Sequence, residues 1–172
     1  MDEELKKTKA DITKAKHTAI GLLKTAKITS IPIQINDLVN TAKLSFDLTV
    51  KPLPDKAFNS KGDALTQAHG DYIFIIYNDE RPVVRKRFSI AHELGHLYLG
   101  HLHGNSSIDL NTDSFDEIEA DAFAAHVLMP PDMLLKDIKS GNRNPEELAK
   151  KYNVSSEAMW RQIRNSGLIN KL

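Results

Sequence analysis

The chain of 172 residues contains no cysteine. That excludes disulfides, thiolate-bound zinc and cysteine nucleophiles, permits a reducing compartment, and leaves His, Asp and Glu as the side chains able to hold a metal. Aromatic residues are only 6% of the chain, and the longest obvious apolar run, Y-I-F-I-I-Y at residues 72–77, is far too short to cross a bilayer. The opening M-D-E-E-L-K-K includes acids and leads into no apolar core, unlike a secretory signal. The expectation is a cytoplasmic protein with no membrane partner, built as one ordinary core with a small appendage.

Net charge is missing too, with 23 basic and 23 acidic residues. The zero is uneven. Residues 1–28 carry seven Lys against four acids and residues 143–172 six Lys/Arg against three, so each end is +3 and the centre −6. A uniformly basic nucleic-acid footprint is absent, and any contact with DNA would be local to an end.

What is present is concentrated in one run, F-S-I-A-H-E-L-G-H-L-Y-L-G at residues 88–100. Its apolar residues Phe88, Ala91, Leu94, Leu97 and Tyr98 recur at helical period, with Gly104 as the expected stop. Within this helix His92 and His96 are four apart, on one face, and Glu93 is beside them. Two imidazoles spaced this way bind one Zn2+, and the adjacent carboxylate serves as general base for a water whose pKa the metal lowers. Hydrolytic zinc commonly has three protein ligands. A third His six residues beyond His96 would complete one such pattern, but that position is Leu102, and His101 and His103 miss the register. His101, His103 and His126 therefore read as surface or partly buried histidines.

The third ligand is expected from a second helix at residues 115–128, which carries Glu117, Glu119 and Asp121. Glu117 and Asp121 share a face, whereas Glu119 is rotated by about 200°. Glu117 is the preferred ligand and Glu119 its competitor, with Asp121 placed to orient a metal-bound imidazole. Ser114-x-x-Glu117 also has the pattern of a helix capping box, which is an alternative use for Glu117.

Elsewhere, Leu5, Ile12, Ala15, Ala19, Leu22 and Ala26 form a thin stripe on an N-terminal helix expected to pack on the outside of the domain. Asn36 or Asp37 caps a helix that turns Leu38, Val39 and Ala42 inward. A strand at residues 46–50 ends at Pro52 and Pro54. A polar loop with Gly62, His69 and Gly70 leads to the strand at 72–77, which can offer its edge to an extended substrate. The double proline Pro130-Pro131 closes the second helix. Residues 147–165 read as two helices around the turn Asn153-Val154-Ser155, either a cap in which Leu148, Val154, Trp160 and Ile163 pack together or a DNA reader presenting Ser156, Glu157, Arg161, Gln162 and Asn165.

The run at 88–101, F-S-I-A-H-E-L-G-H-L-Y-L-G-H, followed by E-I-E-A-D-A-F-A-A-H-V-L-M-P at 117–130, resembles the ImmA/IrrE family of zinc metallopeptidases. The resemblance spans residues 31–130. Asp121 stands where that family commonly has Asn, and His126 where it has Glu. It implies an α+β fold with a zincin-like metallopeptidase core, a small mixed or antiparallel sheet and a C-terminal helical, helix-turn-helix-like cap. The matching division is 1–28, N-terminal helix; 29–130, peptidase core; 131–172, helical subdomain. It further implies a zinc-dependent endopeptidase acting on a helix-turn-helix repressor of mobile elements or stress genes. The alternative is a non-catalytic or DNA-binding regulatory module, against which the presence of Glu93 weighs. A deformylase-like site is disfavoured by the missing cysteine ligand.

Overall fold

The computed structural model describes residues 9–58, 62–102 and 114–172. His69 and Tyr72 bracket the two-residue turn Gly70-Asp71, where Gly70 adopts a positive φ of 59°. Glycine adopts this conformation without steric cost, and the turn folds β2 (Ala64–His69) back antiparallel on β3 (Tyr72–Asn78). β1 (Asp47–Leu53) lies parallel to the other side of β3, giving a mixed three-stranded sheet in the order β1-β3-β2.

Three expectations change here. The polar loop before residue 72 is largely the strand β2, and β3 is the central strand, so both its edges are already paired. Pro52 does not end β1, which runs on to Leu53. β1 is an edge strand, and a residue without an N–H is tolerated there.

Helices cover the sheet and one another. α1 (Ile12–Thr25) and α2 (Ile35–Ala42) precede β1; α3 (Val83–Leu99) and α4 (Ser114–Leu128) follow β3. α5 (Pro131–Lys139), α6 (Pro145–Tyr152) and α7 (Ser156–Asn165) complete the chain with a short 3-10 turn. α2 starts at Ile35, ahead of the expected cap, so that Asp37 lies in its first turn, where a carboxylate complements the positive end of the helix. α3 stops at Gly100 rather than at Gly104, because Gly100 takes the left-handed conformation (φ 78°) that closes a helix; Gly104 and His103 lie outside the described residues.

α3 is the hub, packing on β2, β3, α1, α2 and α4. Its neighbour α4 contributes Ala120, Phe123, Ala124, Val127 and Leu128 to the interior, all fully buried. α1 lays the fully buried Ala15 and Ala19 against α4, and Leu22, Leu134, Leu148, Met159 and Ile163 belong to the same hydrophobic cluster. Trp160 is not in it: it is 37% exposed, and Met159, Ile163 and the amide of Gln162 form the inward stripe of α7. Gln162 donates to the Met129 carbonyl at 2.9 Å, which removes it from the face a DNA reader would present. The turn between α6 and α7 uses Asn153 in a left-handed conformation (φ 54°). The buried Arg87 of α3 latches it, donating to the carbonyls of Asn153 at 3.0 Å and Ile33 at 2.8 Å. Burial holds the Arg87 guanidinium below its ordinary pKa.

Candidate metal centre

Close helix packing builds the site. A Cβ added at Gly95, the residue before His96, would lie 3.1 Å from the Ala120 Cα and 3.1 Å from the Phe123 ring. Only a residue without a side chain lets α3 and α4 approach this closely. The approach brings the Glu117 carboxylate to the two imidazoles.

His92 and His96 face each other through Nε2 at 3.0 Å, and the Glu117 oxygens are 3.1 Å from His92 Nε2 and 3.2 Å from His96 Nε2. Donors bound to one tetrahedral ion at ~2.0–2.1 Å are separated by ~3.3 Å, so these nitrogen–nitrogen and nitrogen–oxygen separations suit a small divalent cation. The proton positions fit as well. Asp121 Oδ1 lies 2.8 Å from His92 Nδ1, an acceptor that keeps the ring proton on Nδ1 and leaves the Nε2 lone pair for a metal. Burial pulls the pKa of His92 down, but the hydrogen bonds to Asp121 and Glu117 and the charges of Glu93 and Asp121 outweigh it and push it up to about 10. The field that attracts a proton to Nε2 also attracts a cation.

Glu93 is buried, 6% exposed, and its Oε2 accepts a hydrogen bond of 2.6 Å from the Thr66 hydroxyl on β2. The edge strand thus fixes the orientation of the carboxylate next to the histidines. Thr66 is not apparent from the sequence, which reads as a polar loop at that point. The capping alternative for Glu117 turns on the Ser114 side chain, which lies outside the described residues.

Glu119 does not join His92 and His96. It is 1% exposed and belongs to a second buried group with His101 and Asp116. His101 Nε2 is 3.0 Å from Glu119 Oε2, and His101 Nδ1 is 3.0 Å from His96 Nδ1. His101 is therefore more deeply buried than the surface or partly buried residue expected, and it lies directly behind one proposed ligand. His126 is buried as well, its Nδ1 donating to the Ala122 carbonyl at 2.8 Å, and burial, partly opposed by that bond, lowers its pKa.

Residues 44–164 match the model of Peptidase_M78, the IrrE N-terminal-like domain. The chain belongs to the ImmA/IrrE family. No curated protein matches it. Among solved structures, this family member is similar in fold to a Mycobacterium tuberculosis transcriptional regulator, with a TM-score of 0.65 at 14% identity. The likeness covers 88% of this chain and 46% of that one, so the chain spans less than half the length of that regulator. Among the described residues no helix is long and apolar enough to cross a membrane.

Proposed function

We propose that this ImmA/IrrE family member is a zinc-dependent endopeptidase in which His92, His96 and Glu117 hold the metal and Glu93 is the general base. The observation that carries the reading is the convergence of two imidazole nitrogens and the two oxygens of one carboxylate, with contacts of 3.0–3.2 Å, and a buried carboxylate on the neighbouring residue. A divalent cation held there lowers the pKa of water towards ~7 and polarises a scissile carbonyl. Glu93 takes the proton from the attacking water and passes it to the leaving amine, while Thr66 keeps its carboxylate aimed at the site. Asp121 fixes the tautomer of His92.

Among the described residues no further strand pairs with the outer edge of β2. Because β2 also carries Thr66, we assign this edge, rather than that of β3, to an extended substrate segment. The substrate class we favour is a helix-turn-helix transcriptional regulator. It is supported by the family and by the regulator with a similar fold. Residues 29–130 would carry the chemistry and α5–α7 would dock on it as a cap. The alternative role of α7 as a DNA reader is weakened by the burial of Gln162.

Co-expression with candidate repressors tests this reading. Glu93→Gln should abolish cleavage, by roughly a thousandfold or more, while folding and metal uptake persist, and Thr66→Val should slow it by about tenfold. Cleavage that survives Glu93→Gln, or that is indifferent to chelation of metal, contradicts the assignment.

A further inference from the structure

His101, Asp116 and Glu119 offer the donors of a second metal site, with His101 Nε2 at 3.0 Å from Glu119 and 3.6 Å from Asp116. The protons argue for a different role. Once His96 gives its Nε2 lone pair to a metal, its single ring proton is on Nδ1. That nitrogen faces His101 Nδ1 at 3.0 Å. Two protonated nitrogens cannot share this contact, so His101 Nδ1 must accept. The proton of His101 is then on Nε2, directed at Glu119 Oε2. The other Glu119 oxygen accepts the backbone N–H of Asp11, the N-cap of α1. The same Nε2 cannot hold both this proton and a metal.

We infer that His101 and Glu119 are positioning residues that hold His96 in the tautomer needed for ligation, and that their pocket takes no metal while the first site is filled. This rests on the metal-site reading above. It makes the relay Glu119–His101–His96 the counterpart of Asp121–His92, so each imidazole has a carboxylate behind it, one directly and one through a second histidine. It also gives the start of α1 a part in the site, since Lys14 additionally ties that helix to the Leu99 carbonyl at the end of α3.

The test is zinc titration of the full chain against a chromophoric chelator, comparing wild type with His101→Leu and His101→Gln. Glutamine keeps an acceptor and a donor about as far apart as the two ring nitrogens, whereas leucine keeps only bulk. The expected result is one equivalent of zinc in wild type, an affinity roughly 10–100-fold weaker in His101→Leu, and recovery to within a few-fold in His101→Gln. Nitrogen-15 NMR of the zinc-loaded wild type should show His101 protonated on Nε2, which decides the matter even if His101→Leu does not fold. Equal affinity in all three proteins, two equivalents of zinc, or a His101 protonated on Nδ1 overturns the inference and leaves the first site standing. A folded wild type that binds no zinc overturns both.

Discussion

His92 shows how much of the site is set by single contacts. Its pKa, raised from 6.5 to about 10, means that the metal-free protein carries a proton there at neutral pH. Because the folded value is the raised one, this proton stabilises the metal-free fold fully below about pH 6.5, and the contribution is lost as pH rises through about 10. Metal uptake at pH 7–8 must expel it. We expect His92 to release close to one proton per ion bound, measured by calorimetry in buffers of different ionisation enthalpy, and apparent affinity to fall with decreasing pH. The spacing of His92, Glu93 and His96 was legible because one turn of helix is enough to bring them together. Thr66 and His101 were not, because their partners are 27 and five residues away and reach them only through tertiary packing or past the end of α3.

At the scale of elements, the α3–α4 contact at Gly95 decides whether Glu117 reaches the imidazoles. Gly95→Ala places a methyl 3.1 Å from the Ala120 Cα, so the helices must part by a few tenths of an ångström. Overpacking of this kind costs about 1–3 kcal/mol. We predict a lower melting temperature together with weaker zinc binding, both measured on the same preparation; a variant with unchanged zinc affinity would show that the site tolerates the separation. Local rules placed α4 nearly to the residue but set the end of α3 at Gly104 rather than Gly100. The strands were harder to read: Gly70-Asp71 is a hairpin signal between alternating residues, but β2 buries only Thr66 among its side chains and so lacks an apolar stripe. Pro52 reads as a terminator until β1 is known to be an edge.

Among the described residues a hydrophobic cluster runs from Ala15 of α1 to Leu168 beyond α7. The stripe on α1 looked thin because its contact with α4 is made by alanines, whose small size allows close approach rather than large apolar area. With Asp11 on Glu119 and Lys14 on Leu99, this helix braces the relay behind His96 from outside the motif. The C-terminal helices are held through Arg87, which joins the hub helix to the α6–α7 turn. The motif alone picked out His92, Glu93 and His96; which carboxylate comes near the imidazoles depended on the rotation and depth of α4 against α3.

The measurement closest to the central claim is zinc content after dialysis for folded wild type, Glu93→Gln and Glu117→Ala, with X-ray absorption on the loaded forms. The account predicts one zinc per chain in wild type and Glu93→Gln, coordinated by two imidazoles and a carboxylate, and loss of binding by about 100-fold or more in Glu117→Ala. Retention of the same zinc environment in Glu117→Ala, or a folded wild type that takes up no divalent metal, would contradict it.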